Sequence, residues 1–387
     1  MRRLMAIPST LAAPPPGTQD LLFEAARRLR RCEAALAALF EGAGYAEAIP
    51  PLVERAAVFD PPEAAPRTGK AGADDSSTAL LEGGALAAEK HPPGPLRAVD
   101  RSGQLLALRA DFTAQIARIA ATRLAGISPL RLYYRGSVVR ESEGTGGELR
   151  ERLQAGCELV GESDPRTDAE LLSLAAAAPG ALGVSKARLS VGTVAWFSAL
   201  VDAADASPRL MHALSDAIDR KDRPTLERLC RAEVAPGKAR DALLLLVRAP
   251  VAEAQAGALL DEARRLAPSP AATAALDRLA ATLPLLRSQR SATGIELDLG
   301  EVRGLGYYTG LVFNLYAEGA PRAVGGGGRY DTLLGRFGDP RPAVGFSLDL
   351  DVLVPLAAAS DVTGAGSAGS LGPSSRPPSQ AREAQPC

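Results

Sequence analysis

Histidine is nearly missing from this chain. Two occur in 387 residues, His91 and His212, and both lie outside the clusters described below. A histidine-centred catalytic triad or a histidine-rich metal site is therefore not expected. Cysteine is scarce too: Cys32, Cys157, Cys230 and Cys387 contain no C-x-x-C pair. Neither a zinc site nor a disulfide framework is indicated, and reduced thiols in a cytoplasmic protein are the plain reading. Net charge is almost absent, at -1, so no bulk positive field gathers nucleic acid or anionic lipid. No apolar run approaches the ~20 residues of a membrane helix. The opening Met1-Arg2-Arg3-Leu4-Met5-Ala6 only faintly resembles a secretory leader, and Pro8 breaks its short apolar stretch.

What is present is ordinary for a folded protein. Hydrophobic residues are 46% and charged residues 23%, which rules out disorder along the full length. Leu22, Leu29, Cys32, Leu36 and Phe40 repeat at helical spacing after a candidate cap, Asp20. Residues 61 to 95 read as a long surface loop. A strand at Leu105 to Arg109 leads to Asp111, which caps a helix carrying Ile116 and Ile119. Leu130 to Tyr134 and Gly156 to Val160 read as a hairpin whose long connection includes Glu141 to Glu148. Residues 166 to 178 and about 194 to 285 are helical and alanine-rich, the second stretch forming an insertion. Strand character returns at Ile295, Leu297 and Leu299 and at Leu311 to Tyr316, then a last apolar segment spans Ala343 to Leu356. Residues 357 to 387 are too poor in large apolar side chains to pack. The irregular mixture of strands and helices predicts an α+β fold.

Four clusters carry chemistry. In Arg109-Ala110-Asp111-Phe112-Thr113, a carboxylate and a hydroxyl at a strand-to-helix turn suit a ligand ammonium, though Asp111 as a helix cap is an equal alternative. Arg140 leaves a strand where it can meet a phosphate or carboxylate bidentately. Gln154, Gly156 and Glu158 share one face of the next strand, and on their own they favour a solvated edge. Arg303-Gly304-Leu305-Gly306-Tyr307-Tyr308 joins charge, stacking surface and glycine flexibility, and holds two of only seven tyrosines. Gly325 to Gly328, followed by Arg329-Tyr330-Asp331, lacks the Gly-Lys-Ser/Thr of a phosphate loop and reads as a strand with bare backbone facing a cavity.

In order and spacing the clusters resemble the class II aminoacyl-tRNA synthetase core in its histidyl form, over about residues 14 to 356. Pro51-Leu52-Val53-Glu54 looks like that family's dimer-forming first motif. Asp111 and Thr113 match the pair that holds the histidine amino group, and Arg140 the second-motif arginine. Gln154 and Glu158 match the amino-acid pocket; Arg303, Tyr307 and Tyr308 match the histidine-specific stretch. Gly327-Gly328-Arg329-Tyr330-Asp331 and Ala343-Val344-Gly345-Phe346 match the third region.

The departures lie mainly on the nucleotide side. Val352 stands where the resemblance places the ATP-clamping arginine, Ser142 where it places a glutamate, and Arg152 where it places an adenine-stacking aromatic. One departure lies on the amino-acid side: Gly306 stands where the resemblance places the acidic residue of the histidine-specific stretch. The anticodon-binding domain, on the order of one hundred residues, is expected to be missing. Each lost charge-assisted contact is worth roughly 1.5–3 kcal/mol, and phosphoryl chemistry rests largely on such positioning. Adenylation is not expected. The Asp-Phe-Thr and Leu-Gln-Ala-Gly forms are similar instead to the regulatory subunits of ATP phosphoribosyltransferase. That resemblance implies a non-catalytic homodimer, assembled with a short catalytic phosphoribosyltransferase as a hetero-octamer, with a relic histidine pocket. No cofactor, metal or membrane is implied. A degenerate synthetase or a tRNA-binding module is the alternative.

Overall fold

The computed structural model describes residues 13–60, 94–141, 149–288, 293–302 and 307–364. Most of the expected loop at 61–95, the connection 142–148 with Ser142, the stretch 303–306 with Arg303 and Gly306, and the tail beyond 364 lie outside the described residues.

Helix α1 (Phe23–Gly42) buries Leu29, Cys32, Leu36 and Phe40, the face that its spacing predicts. Its start differs from expectation: Leu22 occupies the N-cap position without a side-chain cap, so Asp20 lies outside the helix. Strand β1 (Ala46–Glu47) follows, then β2 (Val53–Arg55), β3 (Arg97–Val99) and β4 (Leu105–Leu108). The last three form a small antiparallel sheet in the order β2-β4-β3. Helix α2 (Thr113–Thr122) then leads to β5 (Leu130–Val139) and β6 (Glu151–Val160). The hairpin strands are longer than their apolar segments, because β5 and β6 stay paired through the polar stretch as far as Val139 and Glu151.

Helix α3 (Pro165–Ala181) precedes β7 (Ala187–Thr193). The stretch expected as a helical insertion holds α4 (Val194–Ala203), α5 (Pro208–Asp219), α6 (Arg223–Glu233) and α7 (Lys238–Leu245). It continues with β8 (Val251–Ala252), α8 (Glu253–Leu266) and α9 (Pro270–Ser288). The chain closes with β9 (Gly294–Leu297), β10 (Leu311–Ala317), β11 (Gly325–Arg329), β12 (Ala343–Asp349) and α10 (Leu350–Gly364). Helix α10 runs past residue 356, where the sequence reading begins a tail.

Among the described residues, nine strands form one sheet, β1-β5-β6-β12-β11-β10-β7-β9-β8. Its centre is antiparallel, and the β1–β5 and β7–β9 pairs are parallel. Alternation sorts its residues between two faces. Cys157, Leu159, Val344, Phe346 and Leu348 join the main apolar core, which also takes in α1, α3 and the helical segment. Behind the sheet, Asp168 of α3 is fully buried. It accepts hydrogen bonds from Arg329 of β11 (Nε 2.8 Å, Nη2 2.6 Å) and from Arg278 Nε of α9 (2.9 Å). The opposite face carries the site.

Candidate functional site

The site floor is a grid set by strand register. Across β6 and β12, Gln154 faces Asp349, Gly156 faces Ser347, and Glu158 faces Gly345. On the next strand Gly326 lies beside Ser347 and Gly328 beside Gly345. The polar face of β6 is therefore not a solvated edge. The strand is interior, between β5 and β12, leaving Gln154 8% exposed and Glu158 0%. Alternation marks a polar face but does not say what covers it.

Glu158 is enclosed by hydroxyls. Thr113 Oγ1 donates to its Oε1 at 2.7 Å, Tyr134 donates to the same oxygen at 3.3 Å, and Tyr330 donates to Oε2. Burial pushes the carboxyl up to about 8, and these hydrogen bonds only partly offset that. Gly345 makes the enclosure possible, since a Cβ there would sit 1.5 Å from Oε2. Tyr307 packs on Tyr330, with ring centres 5.5 Å apart, and meets Tyr308 edge-on at 5.0 Å. Phe112 occupies the N-cap position of α2, and Asp111, one residue earlier, accepts from the Ala114 amide of the first turn through Oδ1 at 3.0 Å. One element further out, Arg109 donates to the carbonyls of Pro50 and Ser137 and lies over the Phe112 ring at 3.8 Å. Phe112 in turn stacks on Tyr134 at 4.2 Å.

Beside this nest a cavity of about 270 Å³ opens over β11. Arg140, Gln154 and Tyr308 of the predicted set line it, together with Arg152, Arg322 and Asp349. The glycine run supplies bare wall at Gly325 to Gly327, as the sequence predicts. Arg140 spends its Nε on the Ala110 carbonyl at 2.8 Å. Desolvation draws its guanidinium below its usual range, and Asp111 and Asp349 partly offset this. Arg322 reaches Asp349 Oδ2 at 2.5 Å. Arg152 donates to the Leu149 carbonyl at 3.1 Å, and Val352 packs against the apolar core.

The structure thus divides the predicted residues into two neighbouring groups. Asp111, Thr113, Glu158 and Tyr307 belong to the closed nest; Arg140, Gln154 and Tyr308 belong to the cavity. Arg303 lies outside the described residues. Sequence reasoning missed the roles of Tyr134, Tyr330, Arg322 and Asp349. A signal for Asp349 exists: Gly345, Ser347 and Asp349 alternate with Val344, Phe346 and Leu348, repeating the small-and-polar pattern of β6. No group of three or more potential metal-ligating side chains occurs among the described residues.

Comparison with known proteins agrees with this architecture. The histidyl-tRNA synthetase family model matches residues 78–353. The ATP phosphoribosyltransferase regulatory subunit of Geobacter sulfurreducens is 34% identical over 342 residues, 88% of this chain and 72% of that one. Its counterpart in an Anaeromyxobacter species is 38% identical over 338 residues, 87% of this chain and 90% of that one. A solved structure described as an ATP phosphoribosyltransferase regulatory subunit/histidyl-tRNA synthetase from Bacillus halodurans aligns with a TM-score of 0.74 at 25% identity. It covers 90% of this chain and 83% of the other. The expected fold, a class II synthetase-like α+β sheet flanked by helices, is the one observed. The chain belongs to the family of ATP phosphoribosyltransferase regulatory subunits, built on the histidyl-tRNA synthetase fold.

Proposed function

We propose that this chain is a regulatory subunit without catalysis of its own. It raises the activity of a short-form catalytic ATP phosphoribosyltransferase in the cytoplasm and makes the complex responsive to histidine, in the first step of histidine biosynthesis. The observation that carries this reading is the uneven fate of the two halves of the site. The amino-acid half keeps Asp111, Thr113, Gln154, Glu158, Tyr307 and Tyr308 in one connected region. In the nucleotide half, the partly buried Val352 packs against the core, and Arg152, where the resemblance places an adenine-stacking ring, lines the cavity. A valine offers a triphosphate no donor.

The subunit acts through a coupling free energy between its ligand pocket and the partner's active site, typically about 1–3 kcal/mol. It does so as a homodimer within a hetero-octamer. Exposed Ile49, Leu52, Val53, Leu96, Val99 and Leu105 lie on or beside the small sheet, and such an apolar face supports self-association. Mixing the purified chain with the short catalytic subunit tests the reading. Co-elution and raised turnover, lowered again by histidine, are expected. Histidine-dependent pyrophosphate exchange by this chain alone would overturn it.

A further inference from the structure

Away from the small sheet, large apolar side chains protrude at few places among the described residues. One is the start of α1, where Leu22 is 61% and Phe23 82% exposed. Phe23 is unusual in its backbone as well: its φ is 49°, in the left-handed region that bulky residues rarely enter. The isolated chain buries nothing by holding it there, and strain of this kind collects at functional sites.

Between α1, β6 and α10 opens a groove of about 150 Å³. Leu21 and Ala25, on either side of the protruding pair in sequence, line it, and Leu153 and Val354 extend its apolar wall. Its polar groups are unequally satisfied. Asp351 accepts from the Leu153 amide at 2.7 Å and from Gln19 Nε2 at 3.2 Å. Arg28 makes no hydrogen bond or ion pair among the described residues, although its Nε is buried. Its neighbours on the helix are all paired, Arg27 and Arg31 with Glu24 and Arg30 with Glu33. Folded proteins rarely leave a buried donor unmatched.

A free guanidinium is matched by a carboxylate, and a wall of leucine and valine by an apolar side chain. A small molecule in the groove leaves Leu22 and Phe23 bare, whereas a protein surface covers them. We propose that this groove, with Leu22, Phe23 and Arg28, is the docking surface for the catalytic phosphoribosyltransferase subunit, which seats an apolar side chain in the groove and a neighbouring carboxylate on Arg28. This rests on the regulatory reading above and adds the place of contact. A second copy of this chain is a poor match. Two-fold pairing sets one patch against itself, and the only carboxylate lining the groove, Asp351, is already engaged. The position also accounts for coupling. Arg152 and Gln154 line the larger cavity on one face of β6, and Leu153, between them, lines the groove on the other. A shift of this strand on either side is felt on both.

Benzoylphenylalanine in place of Phe23 in the full-length chain, irradiated in the presence of the purified short catalytic subunit, reads the contact directly. A cross-link to the catalytic subunit is expected. A complex that forms without that cross-link, or that gives one between two copies of this chain instead, overturns the docking surface and leaves the regulatory reading intact. A wild-type chain that forms no complex overturns both. Calorimetry gives a second measure. Phe23→Gly suits the left-handed backbone, so it is expected to keep or raise the Tm of the isolated chain while weakening the catalytic subunit's binding by about tenfold or more. Arg28→Glu is expected to weaken binding in the same way with the homodimer mass unchanged. A merely structural role would lower the Tm and leave the affinity of the folded chain as it was. Wild-type affinity in both variants overturns the assignment, and should Arg28→Glu fail to fold, Phe23→Gly decides.

Discussion

Glu158 and Gly345 face each other across the β6–β12 pair so closely that one cannot gain an atom without displacing the other. A Cβ on Gly345 would stand 1.5 Å from Glu158 Oε2. Gly345→Ala is therefore expected to destabilise the protein by about 1–3 kcal/mol, the usual range for overpacking. Pairing it with Glu158→Ala is expected to be less than additive, because the second change removes the obstruction. Urea unfolding of the two single variants and the double variant measures this, and strict additivity would contradict it.

The buried carboxyl also gives stability a pH dependence with a definite sign. Burial raises Glu158 from an ordinary 4.5 to about 8. Between those values the folded chain holds a proton that the unfolded chain has released. This group's contribution is full below the lower value and is lost as pH rises toward the upper one. Glu158→Gln is expected to flatten the fall in unfolding free energy across that window, as read from urea titrations at a series of pH values. An unchanged slope would count against the protonated carboxyl.

Asp168 joins two cations that have few other partners. Removing it with Asp168→Ala leaves Arg329, 1% exposed, without its main counter-charge. The expected loss is about 3–5 kcal/mol, typical of breaking a buried pair from one side. Replacing Asp168 and Arg329 together with apolar residues is expected to recover much of it. Thermal and urea unfolding measure both variants.

The small sheet yields a prediction about assembly. Val53 and Val99 are 48% and 67% exposed, so an aspartate at either place is tolerated by the isolated fold. Val53→Asp with Val99→Asp is expected to halve the mass seen by light scattering while leaving the circular dichroism spectrum unchanged. A retained dimer mass would place the self-association surface elsewhere.

The sequence makes some of this architecture legible and hides other parts for identifiable reasons. The apolar face of α1 is readable because Leu29, Cys32, Leu36 and Phe40 follow the helical period and nothing competes with it. The Asp20 cap is not, because a capping residue can be recognised before several candidate starts, and the chain uses Leu22. Gln154 and Glu158 are readable as one polar face. Their burial is not, because the strand that covers the second edge of β6 comes from residues 343–349, far along the chain. The same distance conceals Tyr330 and Asp349, which reach the site only through β-sheet register. Arg109 shows the limit of local motif reading: its three hydrogen bonds go to carbonyls at Pro50 and Ser137, which no spacing rule connects.

The clamp at Asp168 has a consequence for how this protein can be cut or rebuilt. Its partners come from α9, at the end of the helical segment, and from β11, in the middle of the sheet. The same segment also returns β8 to the sheet margin, beside β9. It is therefore sewn to the body of the molecule by Arg278, bonded to a buried acid, on one side and by backbone pairing on the other. Excision of that segment leaves an acid in the interior facing one arginine where it had two, and a sheet border stripped of its cover.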